Sequence, residues 1–111
     1  MKVYGLTKCS TCQKAVAGLA AMGHAAEFRD VRDDGITREV LEAAHLVLGD
    51  RLINRASYTW RGMSEADRAL PLVEAVMAHP SLMKRPLIAT GETWLAGWTK
   101  ATIAALDKQD F

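Results

Sequence analysis

The first thirteen residues restrict the possible folds more than any other part of the chain. Lys2-Val3-Tyr4-Gly5-Leu6 is a short, largely apolar run that meets a polar turn at Thr7-Lys8, and a helical pattern starts at Ser10. The run reads as a strand. Cys12, Val16, Leu19 and Met22 then recur about one helical turn apart, and Gly23 supplies a stop. From Ala25 to Val31, Ala26, Phe28 and Asp30 alternate with Glu27, Arg29 and Val31, which fits a second strand. A helix that crosses between two strands favours a parallel pair. Cys9 and Cys12 therefore stand where the first strand hands over to the first helix.

The remaining elements follow from capping and turn chemistry. Asp33-Asp34-Gly35 is a turn, and Thr37 opens a helix to about Leu48 with Val40, Leu41, Ala44 and Leu48 on its apolar face, closed by Gly49-Asp50. The stretch to Gly62 reads as irregular or short helix. Ser64 resembles an N-cap, Leu72 to Met77 looks helical after Pro71, and Pro80 ends that helix. Leu87-Ile88-Ala89 and Thr93-Trp94-Leu95-Ala96 flank Thr90-Gly91-Glu92 as a hairpin. Thr99 caps a last helix with Ile103, Ala104 and Leu106 on one side.

The order is β-α-β, a helical middle over about residues 37–80, then β-β-α. That is the element order of an α/β thioredoxin-like fold, with a mixed sheet and a helical insert between its halves. At 111 residues with half of them hydrophobic, one domain over 1–111 with a single compact core is expected. The 14 basic and 13 acidic residues give a net charge of +1, which predicts neither direct nucleic-acid binding nor an acidic tail. No run approaches the roughly 20 apolar residues of a membrane helix, and the N-terminus lacks the apolar core of a signal peptide. No membrane association and a cytoplasmic location are expected.

Two cysteines are too few for a disulfide scaffold. A sulfur at Cys9 would lie beside unpaired backbone N–H groups and the positive end of the helix dipole, both of which stabilise a thiolate, and Lys8 and Lys14 add positive charge. Cys12, nearly one turn on, lies on the same side and deeper. This assigns the nucleophile to Cys9 and the resolving thiol to Cys12. A CxxC pair is also half of a zinc site, but no second CxxC or CxxH exists and His24, His45 and His79 are scattered, so no metal is expected. Two inert buried thiols are the remaining alternative.

Lys84-Arg85-Pro86 precedes the strand at Leu87. A cis peptide bond at Pro86 would turn Arg85 toward the thiolate, where a guanidinium can hold a carboxylate or an oxyanion by paired, charge-assisted hydrogen bonds. An ordinary loop before an ordinary strand is the alternative. Arg51, Arg55 and Arg61 interleave with Tyr58 and Trp60, a pattern that a binding surface and a solvated helical face explain equally well. Met63, Met77 and Met83 read as core fillers.

Three blocks carry a resemblance to a known family. They are Val3-Tyr4-Gly5-Leu6-Thr7-Lys8-Cys9-Ser10-Thr11-Cys12-Gln13-Lys14-Ala15, Leu52-Ile53-Asn54-Arg55 through Tyr58-Thr59-Trp60-Arg61, and His79-Pro80 leading into Lys84-Arg85-Pro86-Leu87-Ile88. Over essentially its whole length the chain resembles the glutaredoxin-coupled arsenate reductase family, which includes Spx-type redox regulators and a YffB-type branch. Thr59-Trp60-Arg61 and Leu95-Ala96-Gly97-Trp98 look most like the YffB-type branch.

The resemblance implies a nucleophile at Cys9, the arginine of the family's Arg-Pro pair at Arg85 and a cis proline at Pro86. Lys8, Arg55, Pro86 and Gly97 are the positions expected around the substrate. In the arsenate reductases a third arginine is expected near the tail, where Gly97 stands, and Asn54 falls where they place another, with Arg55 one residue on. A lost charge-assisted contact is worth about 1.5–3 kcal/mol, which disfavours arsenate, a dianion near neutral pH. The resemblance implies no bound cofactor and a reductase that uses glutathione or glutaredoxin. A redox-responsive regulator that binds RNA polymerase ranks second and arsenate reductase third.

Overall fold

The strand read at the N-terminus forms, and everything near the cysteines is built on it. A computed structural model describes residues 1–107, so positions 108–111 of the expected domain lie outside the described residues. Strand β1 is Lys2–Gly5, helix α1 is Ser10–Ala21 and strand β2 is Glu27–Asp30. β1 and β2 run parallel, with Val3 opposite Phe28 and Gly5 opposite Asp30, as a helical crossover requires. Strands β3 (Leu87–Ala89) and β4 (Trp94–Ala96) form the antiparallel hairpin, and β3 also pairs antiparallel with β1. The mixed sheet has the order β2-β1-β3-β4.

Between β2 and β3 lie α2 (Arg38–Leu48), α3 (Tyr58–Gly62), α4 (Glu65–Arg68) and α5 (Leu72–Ala78), with short 3-10 turns at Gly49–Leu52 and Pro80–Leu82; α6 (Lys100–Asp107) follows β4. Three caps fall at the expected Thr37, Ser64 and Thr99, and Ser57 adds a fourth. The hydroxyls of Thr37, Ser57, Ser64 and Thr99 accept from the N–H groups of Val40, Trp60, Asp67 and Thr102. Each satisfies a donor that the helix leaves unpaired, worth about 1 kcal/mol.

Alternation along the strands divides the core in two. Tyr4 and Leu87 point to one face, where Leu41, Ala44 and Leu48 of α2 and Val73 and Val76 of α5 cover them. Val3 and Ile88 point to the other, against Leu19 of α1 and Leu106 of α6. The result is a thioredoxin-like α/β fold with an inserted helical subdomain on one side of the sheet.

Three expected core positions differ. Val16 is 38% exposed and Met77 40% exposed, whereas Ala15, Met63 and Met83 are buried. The inward stripe of α1 is Cys12, Ala15 and Leu19, spaced i, i+3 and i+7, so Val16 falls at its edge. Ala104 is likewise exposed, because Thr102 and Leu106 form the inward row of α6.

Candidate active site at the head of the first helix

β1 ends at Gly5, and the chain turns through Leu6 to Cys9, whose N–H donates to the Leu6 carbonyl at 3.0 Å. Cys9 is the N-cap of α1, with extended φ −78° and ψ 121°, and its carbonyl accepts from the N–H of Gln13 at 3.0 Å. Strand and helix thus deliver this residue to the end of α1 where N–H groups lack helical partners. Both cysteines are free thiols, Cys9 half-buried and Cys12 1% exposed.

Their surroundings push the two thiols in opposite directions. Burial works against a charged Cys9, but the N–H of Cys12, the Cys12 thiol, the N–H of Thr11 and the charge of Arg85 outweigh it, so its pKa is lowered. Burial dominates at Cys12, and the adjoining Cys9 adds to it, raising that thiol to about 11 against the opposing pull of the Leu6 backbone and Arg85. Of the two, the half-buried Cys9 is the thiol that ionises more readily, and the buried Cys12 keeps its proton near neutral pH.

A polar cleft of about 630 Å³ opens on Cys9; Lys8, Arg32 and Arg85 stand around it with Asp30 and Asp33. The cation that acts on the sulfur is Arg85, 76 residues away in sequence, rather than Lys8 or Lys14. Arg85 also donates to the Ser81 carbonyl at 3.3 Å, and the Arg85-Pro86 bond is cis with Pro86 fully buried.

Of the four positions expected around the substrate, Lys8 alone lines this cleft; Pro86 is fully buried next to Arg85, and the other two lie elsewhere. Arg55 approaches Asp50 at 3.7 Å and sits 5.2 Å from the centroid of the Trp60 ring. The N–H of Gly97 donates to the Pro86 carbonyl at 2.8 Å, and its φ of +80° is a conformation that favours glycine. Neither lines the Cys9 cleft, so the structure brings together Cys9, Cys12, Lys8 and Arg85 and leaves Arg55 and Gly97 outside. The arginines of the insert instead pair with its rings: Arg61 lies 4.6 Å from the Tyr58 centroid and Arg68 5.4 Å from that of Trp60.

Asp30 is a cleft residue that no sequence motif marks. Its carboxylate, at the end of β2, accepts from the N–H and the hydroxyl of Thr7, both at 2.7 Å, and from the N–H groups of Arg32 and Asp33. These donors, led by the Thr7 N–H, hold its pKa well below the usual carboxyl range. Asp30 thereby ties the turn before Cys9 to the loop after β2. Its signal in the sequence was a charged residue on an inward position of a strand.

Among the described residues no group of three or more His, Cys, Asp or Glu side chains could hold a metal ion, and no helix is long and apolar enough to cross a membrane. What the arrangement offers is thiol–disulfide exchange: a thiol of lowered pKa at a helix N-terminus, a protonated thiol beneath it and a guanidinium nearby. Fold and site together define a thioredoxin-like oxidoreductase scaffold of the thiol–disulfide type.

The chain belongs to the ArsC family, whose sequence pattern matches residues 4–106. A curated protein of Haemophilus influenzae that carries no functional name is 33% identical over 104 residues, covering 88% of this chain and 90% of that one. The solved structure of the YffB (PA3664) protein is 33% identical, with a TM-score of 0.85 over 94% of this chain and 96% of that one. An arsenate reductase (ArsC) related protein from Brucella melitensis is 28% identical, with a TM-score of 0.71 over 97% of this chain and 94% of its own. The likeness is consistent with the YffB-type branch.

Proposed function

We propose that this chain is a cytoplasmic thiol–disulfide reductase, with Cys9 as nucleophile, Cys12 as resolving thiol and glutathione or glutaredoxin as the source of electrons. The opposed shift of the two thiols is the observation that carries the reading. The Cys9 thiolate attacks one sulfur of a substrate disulfide, forming a mixed disulfide and releasing the other half as a thiolate. Cys12 then gives up its proton, attacks the Cys9 sulfur and expels the bound half, leaving a Cys9–Cys12 disulfide. Two molecules of glutathione reduce that bond and are themselves joined as a disulfide.

Arsenate fits this cleft poorly. Asp30 and Asp33 bring two carboxylates to its lining, and Gly97 supplies no guanidinium. The testing experiment is turnover of a glutathione mixed disulfide by the purified protein. Cys9→Ser should abolish it, and Cys12→Ser should slow it or divert it to a monothiol route. Absence of turnover, with RNA polymerase bound in one redox form alone, would replace this reading with that of a redox-responsive regulator.

A further inference from the structure

A second depression adjoins the thiol cleft, and its chemistry is the opposite. It holds about 420 Å³ along the flank of α1, and no charged side chain lines it. Leu6 and Thr7 line both spaces, and Cys12 lines the groove. The Gln13 side-chain amide donates to the Thr7 carbonyl at 3.0 Å. Farther along α1, Val16, Ala17 and Ala20 face Phe28 of β2 across the groove. The exposure of Val16, anomalous for a core residue, is the exposure of a groove wall.

We propose that this groove receives the apolar half of an asymmetric disulfide whose other half is a charged thiol such as glutathione. The proposal rests on the reading of Cys9 as nucleophile. A disulfide under attack presents two substituents, and two contiguous spaces meet at this cysteine pair. The cleft has cations and a carboxylate for the carboxylates and the ammonium of a glutathionyl group. The groove offers mostly hydrocarbon, with Cys12, Thr7 and the Gln13 amide at one end and no charge, in a volume suited to a small substituent rather than a protein surface. Cys9 bonds to the sulfur of the charged half, the original S–S bond breaks, and the apolar half leaves as a thiolate that takes a proton from water. Cys12 and two molecules of glutathione then complete the cycle described above.

The test is single-hit trapping in the Cys12→Ser protein, where Cys9 forms a mixed disulfide that mass spectrometry can time. Benzyl glutathionyl disulfide and 2-hydroxyethyl glutathionyl disulfide are compared, each rate divided by that of the same disulfide with free glutathione. The benzyl compound should trap about tenfold faster, the scale on which an apolar pocket discriminates. Adding Ala17→Glu should level the two rates, and Ala21→Glu, exposed on α1 outside the groove, should leave the ratio intact. Equal normalised rates, or a ratio that survives Ala17→Glu, would overturn the proposal. Trapping needs no turnover: a benzyl preference in a chain that never turns over would sink the reductase reading and leave the groove assignment standing.

Discussion

The side chain that Gly5 lacks and the sulfur of Cys12 compete for one space, since a Cβ on Gly5 would fall 2.5 Å from Cys12 Sγ. Gly5→Ala should therefore destabilise the protein by about 1–3 kcal/mol through overpacking. In the double variant with Cys12→Ala the clash is relieved, so the combined cost should be less than the sum of the single costs. Urea unfolding of the four proteins measures this, and strict additivity would refute it.

The two thiols should alkylate on separate pH scales. Iodoacetamide labelling of Cys12→Ser should titrate Cys9 below the ordinary thiol value, and labelling of Cys9→Ser should leave Cys12 largely unreactive at neutral pH. Because Cys9 itself raises Cys12, the Cys12 midpoint in the Cys9→Ser variant should fall below about 11. Coincident curves for the two cysteines would contradict the assignment of nucleophile and resolver.

Arg85→Ala should raise the pKa of Cys9, slow its alkylation at neutral pH and weaken glutathione binding. The stability lost should be small, about 0.5–1.5 kcal/mol for one hydrogen bond to the Ser81 carbonyl. A large fall in melting temperature with unchanged Cys9 reactivity would make Arg85 a structural residue.

Asp30 gives a pH dependence of defined sign. A carboxyl whose folded pKa is depressed contributes stability that is fully present above its unfolded value, about 3.9, and is lost as pH falls through the folded value. Asp30→Asn removes the charge from a site with four donors, so the variant should be weaker than the parent at pH 7. The gap should narrow as the solution is acidified below pH 4. Urea midpoints from pH 7 to 2 follow it, and a gap that stays constant would refute the role of the ionised carboxylate.

Local chemistry made much of this fold readable. Thr37, Ser64 and Thr99 cap the helices they were expected to cap, because a hydroxyl and an N–H three residues on need no distant partner. The parallel strand pair followed from a crossover that a helix must make. Side-chain burial was harder: Val16 reads as core until Gly18 and Ala15 are seen to set which side of α1 lies against the protein. Asp30 was invisible as a site residue because its main partner, Thr7, lies 23 positions away. Arg55 shows the converse, since the pattern that pointed to a substrate is satisfied locally by Asp50 and Trp60.

Gly18 also fixes where Trp98 rests. A Cβ there would lie 2.4 Å from the indole Cζ2, so the ring lies directly on the backbone of the helix that carries both cysteines. An indole so close-packed gives α1 an optical label of its own. If formation of the Cys9–Cys12 bond displaces the head of α1 along its length, the emission of Trp98 should change with the redox state. Trp60→Phe with Trp94→Phe would isolate that signal, and the thiol chemistry could then be followed by fluorescence without any added dye.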